Sequence, residues 1–326
     1  MVFMITCLIG FMLFKASPRS GIVKLVQLNN GHYIPAIGLG TWTMDDKEAR
    51  EAIKMAVKIG YRHVDTAWRY HNEKGVGQAL KDLILDKVIA RNDIFITTKV
   101  WNTFHGRELA VQAIKESLAN LGLDYLDLAL IHWPTGFKAG TDDIYPRKSD
   151  GSIMPSDFSL IDTWKGMEDL FRQGLAKSIG VSNFNIKQLQ RVLNEASIKP
   201  SVNQFETHPF LAQQELVDFC HNNSIAVIAY SPLRQADKEL LNNPVLKNIA
   251  LKYNKTVAQV ALRWQIDRNV IIIAKSSRKE RQMENINIFD FKLEDQEIKQ
   301  ITALNQNNRL IDIPGIQNHP EYPFDN

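Results

Sequence analysis

Short apolar runs alternate with amphipathic stretches along the chain from Ile22 onward. Runs such as IFITT and VIIIA are β-branched and flanked by polar residues, which is typical of buried parallel strands. Stretches such as DKEAREAIKMAVKIG place apolar residues at i, i+3 and i+4 and end near a glycine, as helices that cover a sheet do. The pattern predicts eight strands, at residues 37–41, 61–65, 94–99, 126–132, 176–181, 201–205, 225–230 and 270–274.

Eight strands that alternate with helices across residues 22–326 predict a (β/α)8 TIM barrel, with a doubly wound sheet as the structural competitor. Before the first barrel strand, Asn29-Asn30-Gly31 separates two short apolar runs and predicts an N-terminal β-hairpin. No internal repeat, low-complexity tract or linker divides the region. We therefore interpret residues 22–326 as one domain.

Residues 1–21 form an apolar leader that does not fit this pattern. The run at 2–14 would span roughly 20 Å as a helix, which is shorter than the ~30 Å hydrocarbon core, so we expect no stable membrane span. Its length fits the apolar region of a signal peptide, although no Lys or Arg precedes it and no small-x-small cleavage site follows. The alternative is an extension with Met4 or Met12 as the natural start. We favour secretion after signal cleavage over a cytoplasmic location.

Composition excludes several other classes of protein. The 326 residues include 39 basic and 36 acidic side chains, a formal net charge of +3, so nothing indicates a nucleic-acid partner or a charged disordered tail. Cys7 and Cys220 are too few for a disulfide framework or a Cys-based zinc site. We expect a monomer that acts on a small molecule.

Four polar residues lie at or just after predicted strand ends, where TIM barrels carry their catalytic groups. Asp65 ends the second strand, Tyr70 follows it, Lys99 ends the third strand and His132 ends the fourth. A lysine ammonium lowers the pKa of a neighbouring phenol, and a carboxylate keeps that lysine charged. A histidine there can donate a hydrogen bond to a carbonyl oxygen. Each residue alone has a structural explanation, as a cap, a strand end or a core histidine, but together they indicate an acid–base site.

A dinucleotide would have to be held without a GxGxxG loop, because GVGQAL at 75–80 lies inside a helical pattern. After the eighth strand, the segment Lys275–Arg281 brings four positive charges and two hydroxyls to the start of a helix. This composition fits a phosphate site, although a solvated basic helix start is the simpler explanation.

Seven motifs occur in the order and spacing of one enzyme family: GYRHVDTAWRY, ITTKVW, LIHWP, IGVSNF, VNQFE, AYSPL and IIIAKS. From about Lys24 to the terminal YPF, the chain resembles the aldo-keto reductase superfamily, particularly its aldose and aldehyde reductases. The resemblance implies a (β/α)8 barrel that uses NADPH to reduce aldehydes and ketones. It places the catalytic tetrad on Asp65, Tyr70, Lys99 and His132, with Tyr70 as proton donor.

The same resemblance implies a set of cofactor contacts. Lys275, Ser276 and Arg281 would bind the adenosine 2′-phosphate, which favours NADPH over NADH. The remaining implied contacts are Glu284 and Asn285 near the adenine, Ser182, Asn183 and Gln204 at the carboxamide, Tyr230 stacked on the nicotinamide, and Thr41, Trp42, Ser231 and Leu233 as additional contacts. The chain departs from the family pattern at Ala274, where proline is usual, at Arg234, where glycine is usual, and at Trp68 and His71 around the catalytic tyrosine.

Aromatic residues near the same strand ends predict the substrate pocket. The predicted substrate contacts are Trp42, Trp101, His132, Trp133 and Phe137, with Tyr145 as a further candidate, although aromatic residues more often pack in a core. A large apolar pocket suits hydrophobic aldehydes, ketones or a steroid. The insertion DIYPRKSDGSIMPSDFS is similar to the branch that includes 3-dehydroecdysteroid reductases.

Two further implications of the resemblance concern the reaction. In the family the C-terminal segment, here NNRLIDIPGIQNHPEYPFDN, closes the pocket as a substrate loop. The presence of His132, where steroid double-bond reductases have Glu, favours reduction of C=O over C=C.

Two alternatives belong to other functional classes. A metal-dependent barrel hydrolase would use His63, Asp65, His132 and His208, but no His-x-His pair or third carboxylate completes that site. A non-catalytic NADPH-binding barrel would tolerate erosion of the tetrad, and all four residues are present. Turnover of carbonyl compounds with NADPH separates these possibilities.

Overall fold

The computed structural model describes residues 24–141 and 143–324. A two-stranded antiparallel hairpin precedes eight parallel strands that close into a barrel in the order β10-β3-β4-β5-β6-β7-β8-β9. The strands are β1 (Leu25–Gln27), β2 (Tyr33–Pro35), β3 (Ile37–Gly40), β4 (His63–Asp65), β5 (Phe95–Val100), β6 (Leu128–Ile131), β7 (Ile179–Ser182), β8 (Val202–Glu206), β9 (Ala226–Tyr230) and β10 (Val270–Ala274). The predicted TIM barrel and hairpin are confirmed, and the doubly wound sheet is excluded.

Helices surround the barrel. They are α1 (Asp46–Ile59), α2 (Glu73–Leu85), α3 (Arg107–Leu121), α4 (Leu160–Arg172), α5 (Ile186–Glu195), α6 (Gln214–Asn222), α7 (Lys238–Asn242), α8 (Pro244–Tyr253), α9 (Val257–Asp267), α10 (Lys279–Ile286) and α11 (Asp295–Thr302). Of these, α7, α8 and α11 pack with one face of α9 in an apolar cluster of their own. In α1 the buried residues recur with helical spacing, and Asp45 caps the first turn by accepting a hydrogen bond from the Glu48 amide. No helix among the described residues is long and apolar enough to cross a membrane.

The glycines of the GVGQAL motif serve helix packing. Both lie within α2, as predicted. A Cβ on Gly75 would come 2.1 Å from the Asp46 carbonyl oxygen, and one on Gly77 would come 2.4 Å from the Leu121 carbonyl oxygen. These glycines therefore let α2 approach its two neighbouring helices, and they do not form a dinucleotide-binding loop.

The hairpin β1–β2 closes the N-terminal end of the barrel. Leu28 and Ile34 are buried and pack into the cluster of inward-facing strand side chains. The turn is fixed to the loops that precede two barrel strands, because Asn29 Nδ2 donates to the Pro200 carbonyl at 2.8 Å and Asn30 Nδ2 donates to the Lys177 carbonyl at 3.0 Å. The opposite end, where the strands end, is left for the functional site.

The predictions for the leader at 1–21, and with it Cys7, lie outside the described residues. Cys220 is buried and unpaired within the described part of the chain. Burial raises the pKa of its thiol to about 12. This thiol is therefore packed in the core and protonated, as a structural cysteine is.

Candidate active site

A buried ion pair forms the base of the site. Asp65 at the end of β4 and Lys99 near the end of β5 are both almost fully buried. Lys99 Nζ donates to Asp65 Oδ1 at 2.5 Å and to the Thr66 carbonyl at 2.9 Å. Gln204 Nε2 donates to the second oxygen of Asp65 at 2.8 Å. Burial lowers the pKa of Lys99 and Asp65 opposes that shift, so the carboxylate is what keeps the ammonium charged.

Tyr70 ends a single helical turn, Trp68–Tyr70, that follows β4. Lys99 Nζ lies 5.2 Å from the centre of the Tyr70 ring. Burial raises the pKa of Tyr70 well above its usual value, Asp65 raises it further, and Arg69 lowers it. The predicted net lowering of this pKa is therefore wrong, because burial and Asp65 outweigh the effect of the neighbouring positive charge. The phenol keeps its proton at neutral pH.

His132 follows β6 and completes the predicted tetrad. Its ring meets those of Tyr70 and Trp101 edge to face, with centroids 5.7 Å and 5.3 Å away. Burial lowers the pKa of His132 well below its usual value, and Lys99 and Arg69 lower it further, so the ring is neutral. Its Nδ1 is buried without a hydrogen-bond partner among the described residues. A neutral ring retains one N–H, which can donate to a bound oxygen.

The residues predicted to hold a carboxamide adjoin this tetrad. Asn183 follows β7 in the left-handed region (φ 63°). Its Nδ2 donates to the His132 carbonyl at 2.9 Å, and its Oδ1 accepts from the Tyr230 hydroxyl at 2.7 Å. Ser182 Oγ also accepts from Asn183 Nδ2, at 3.2 Å. The predicted carboxamide contacts Ser182, Asn183 and Gln204, and the predicted stacking residue Tyr230, therefore lie at one end of the barrel with the tetrad.

The segment after β10 has the charge and geometry of a phosphate site. Ser276 is buried, whereas Lys275 and Arg281 are exposed, and α10 begins at Lys279. None of the four cations of this segment forms an ion pair with another described residue. Uncompensated cations at a helix N-terminus fit the phosphates of a dinucleotide such as NADP.

The remaining predicted cofactor contacts lie around the same rim. Glu284 accepts a hydrogen bond from Thr256 Oγ1 at 2.5 Å, and Asn285 is buried in the same helix turn. Thr41 is buried against the end of β4, where its Oγ1 donates to the Asp65 carbonyl at 3.3 Å. Ser231 (φ 47°) and Leu233 begin the loop that follows β9, and both are partly exposed.

The predicted substrate contacts divide into two groups. Trp101 and Trp133 are buried in a cluster that includes Ile313 and Ile316 of the C-terminal segment. Trp42 stands apart from it with 43% of its surface exposed. Phe137 is fully buried, with its ring centre 5.9 Å from that of Trp101. The two rings meet edge to face, and a contact of Phe137 with substrate stays a prediction.

The C-terminal segment packs over the loops that follow β6 and β8. Glu206, at the end of β8, is fully buried and accepts from the Leu310 amide at 2.9 Å and the Ile311 amide at 2.9 Å. Farther along, His319 contacts the Gly136 carbonyl at 2.8 Å, and the Phe324 ring lies 5.8 Å from that of Trp133. The segment therefore lies against the aromatic cluster beside the tetrad.

The sequence reasoning missed two charged residues at this site. Arg69 lies over the rings of Trp101 and Tyr145, with its guanidinium carbon 5.7 Å and 5.1 Å from their centres. Its position directly before Tyr70 was the available signal. Glu206 anchors the C-terminal segment, and its presence in the motif VNQFE was the corresponding signal.

A metal-dependent hydrolase would need a cluster of metal ligands. Among the described residues, no group of three or more His, Cys, Asp or Glu side chains could hold a metal ion. His63 is buried against Thr97, and burial lowers its pKa to about 4. His208 is buried beside Glu206, with Nε2 3.0 Å from Oε1. The two histidines have separate packing partners, so they do not converge with His132.

Comparison with known proteins identifies the family. The model of the aldo/keto reductase family matches residues 36–306. Aldo-keto reductase family 1 member A1 of Gallus gallus is 44% identical over 317 residues, which are 92% of this chain and 97% of that protein. Estradiol 17 beta-dehydrogenase 5 of Mus musculus is 42% identical over 315 residues, with 92% and 97% covered.

Two solved structures have the same architecture. The aldose reductase of Schistosoma japonicum superimposes with a TM-score of 0.88 at 42% identity, covering 92% of this chain and 98% of that one. A Bombyx mori aldo-keto reductase in complex with NADP gives a TM-score of 0.85 at 40% identity, covering 93% and 99%. The chain thus belongs to the aldo/keto reductase family of NADP-dependent oxidoreductases.

Proposed function

We propose that this protein reduces aldehydes and ketones to alcohols with NADPH, and that Tyr70 supplies the proton. The observation that carries the proposal is the array of Asp65, Lys99, Tyr70 and His132 at the C-terminal ends of adjacent strands, in which Tyr70 alone is partly exposed. This array offers a protonated phenol, a neutral imidazole and a charged ammonium within one small site. Those groups match the needs of a carbonyl oxygen that gains a proton as its carbon is reduced.

NADPH, when bound, supplies the hydride that adds to the carbonyl carbon. Lys275, Ser276 and Arg281 would hold its 2′-phosphate, and Asn183 and Tyr230 would position its nicotinamide. The uncompensated charges after β10 and the Asn183–Tyr230 hydrogen bond support this assignment. Gln204 reaches the same region but donates to Asp65, so its amide also orients the ion pair.

The chain's own residues account for the proton. The neutral His132 ring donates a hydrogen bond to the carbonyl oxygen and holds it beside the phenol. The Tyr70 O–H bond breaks and its proton bonds to that oxygen, which leaves a phenolate. The Lys99 ammonium stabilises this phenolate, and solvent returns the proton after the alcohol leaves.

We propose a hydrophobic carbonyl compound as the substrate. The walls of the site are rings and aliphatic side chains, including Trp101, Trp133 and Ile313, and such walls favour apolar molecules. The 3-oxo ecdysteroids are one candidate class, supported by the insertion at 143–159. The name of the mouse relative, estradiol 17 beta-dehydrogenase 5, refers to a steroid, which also supports a substrate of this class.

The decisive experiment measures oxidation of NADPH by the full chain with hydrophobic aldehydes, ketones and 3-oxo steroids, 3-dehydroecdysone among them. Tyr70→Phe should lower kcat by about 100-fold to 10,000-fold, the usual worth of a general acid. Tyr33→Phe is the matched control, because Tyr33 lies exposed on the hairpin at the opposite end of the barrel.

NADPH binding, followed by tryptophan fluorescence, should be retained in Tyr70→Phe. Full turnover by this variant would rule out Tyr70 as the proton donor. Binding of NADPH by the wild-type chain without reduction of any carbonyl compound would instead favour a non-catalytic NADPH-binding barrel.

A further inference from the structure

Arg69 is a cation at the edge of the substrate pocket that the reduction of a neutral carbonyl does not use. It lies between Trp68 and Tyr70 in the helical turn after β4. Its guanidinium stacks over the rings of Trp101 and Tyr145, both members of the aromatic cluster beside His132. Its charge is felt at the reacting groups, because it lowers the pKa of both Tyr70 and His132.

Most hydrogen-bond donors of the Arg69 guanidinium have no partner among the described residues. Arg69 Nε donates to the Tyr145 hydroxyl at 3.2 Å. Within residues 24–141 and 143–324, no carboxylate pairs with Arg69, and no hydrogen bond from its two terminal nitrogens is formed. The surrounding arginines that have structural roles differ in this respect: Arg147, for example, donates to the carbonyls of Gly151 and Pro314.

The aromatic contacts hold this guanidinium in place. Trp101 Nε1 donates to the Ile144 carbonyl at 3.1 Å, so the ring beneath Arg69 is fixed by the same loop that carries Tyr145. A guanidinium stacked on rings leaves its edge donors in the plane between them. Such an edge is suited to two parallel hydrogen bonds with a carboxylate or a similar planar anion.

We propose that Arg69 forms an anion subsite, so that the preferred substrate is a hydrophobic carbonyl compound that also carries a carboxylate. The inference rests on the proposed reductase function and narrows its substrate class. The carbonyl would lie against Tyr70 and His132, the apolar body against Trp101, and the carboxylate on the free edge of the guanidinium. An uncharged 3-oxo steroid would leave those donors to solvent.

A matched substrate pair tests the subsite. 4-Carboxybenzaldehyde and methyl 4-formylbenzoate have nearly the same shape, but only the acid is ionised at neutral pH. For the full-length wild-type chain with NADPH, kcat/KM should be higher for the acid than for the ester. Arg69→Gln also removes a charge that acts on Tyr70 and His132, so the informative quantity is the ratio of kcat/KM for the acid to that for the ester. This ratio should fall by about 10-fold to 100-fold, which is what loss of a hydrogen bond to a charged group is expected to cause.

Two variants control for charge and folding. Arg69→Lys keeps the charge without the planar fork and should recover part of the preference for the acid. Lys74→Gln removes the same charge from an exposed position on α2 and should leave the ratio unchanged. Protection of the protein against heat by 4-(hydroxymethyl)benzoate, the product, provides a readout without turnover and should be lost in Arg69→Gln.

The outcomes separate the two proposals. If neither aldehyde is reduced by the wild-type chain, the proposed function fails. If the ester is reduced but Arg69→Gln changes kcat/KM for acid and ester by the same factor, the reductase stands and the anion subsite is wrong. A wild-type preference for the ester over the acid would overturn the subsite as well.

Discussion

At the scale of single residues, burial favours the neutral form of each titratable group in the site. Tyr70 and His132 are both held in their neutral forms, whereas Lys99 is kept charged only through its contact with Asp65. An ammonium beside a phenol favours the phenolate and so lowers the phenol's pKa, but burial and Asp65 outweigh that effect at Tyr70. The phenol therefore keeps its proton at rest, and Lys99 stabilises the phenolate that proton transfer would produce.

Arg281 provides a test of the cofactor at this scale. Arg281→Ala should weaken NADPH binding by about 10-fold to 100-fold, because the proposed charge-assisted contact with the 2′-phosphate would be lost. Binding of NADH, which lacks that phosphate, should be almost unchanged. Both dissociation constants can be measured by quenching of tryptophan fluorescence.

Lys58→Ala is the matched control for Arg281→Ala, because Lys58 is exposed in the last turn of α1 and carries the same charge. It should leave both dissociation constants unchanged. An equal loss of NADPH and NADH binding in Arg281→Ala would place Arg281 away from the 2′-phosphate.

The sequence predicts the identity of the tetrad residues but not the direction in which the pKa of Tyr70 is shifted. Strand ends and residue types suffice to bring Asp65, Tyr70, Lys99 and His132 together. The pKa of Tyr70 depends on how deeply its ring is buried and on which partner Lys99 contacts most closely. Both depend on the three-dimensional structure and cannot be derived from the spacing of residues along the chain. The stacking of Arg69 on Trp101 could not be predicted for the same reason.

At the scale of elements, the ends of the strands place the chemistry and the C-terminal segment encloses it. Buried parallel strands have a strong sequence signal, so the predicted and observed barrel strands overlap at all eight positions. The C-terminal segment has no such signal, because it has no regular secondary structure between α11 and Phe324. Its path is set by particular contacts, foremost the Glu206 carboxylate that accepts the amides of Leu310 and Ile311.

Replacing that anchor should loosen the segment. Glu206→Gln keeps the size of the side chain but replaces one acceptor oxygen with a donor that faces two backbone amides. Each buried amide left unpaired costs about 1–3 kcal/mol, so proteolysis of the C-terminal segment should become about tenfold faster or more. KM for bulky carbonyl compounds should rise, whereas kcat for a small aldehyde should change little.

Glu195→Gln, at the exposed end of α5, is the control for this change. Cleavage rates are followed by mass spectrometry of limited digests. Equal rates for Glu206→Gln and the wild-type chain would contradict a role for Glu206 in anchoring the segment.

At the scale of the whole molecule, several histidines are buried in their neutral form. Burial lowers the pKa of His63 to about 4 and that of His105 to about 3. In an unfolded chain both would titrate near 6.5. Between these values the unfolded state binds more protons than the folded state, so stability is complete above pH 6.5 and falls as pH decreases below it.

The free energy of unfolding should therefore be lower at pH 5 than at pH 7. Each of these two histidines contributes about 2 kcal/mol to the difference, since the pH lies about 1.5 units below the pKa of the unfolded chain. Urea denaturation at the two pH values measures it, and His105→Gln should reduce the difference by about the share of one histidine. A free energy that is the same at pH 5 and pH 7 would show that these imidazoles are not held neutral.

The overall fold is the feature of this protein that the sequence predicts most completely. A repeated alternation of strands and helices leaves few topologies, and right-handed parallel connections bring the eight strands into a closed ring. The packing that buries His105 against Gly136 is set by contacts between distant parts of the chain, so it is seen only in three dimensions.

The hairpin closes the N-terminal end of the barrel. Because Leu28 and Ile34 fill that end, a molecule can reach Tyr70 only from the C-terminal ends of the strands. The cofactor and the carbonyl compound are therefore expected to share one entrance, the rim against which the C-terminal segment packs. A feature that looks purely architectural thus sets the side from which both reactants approach.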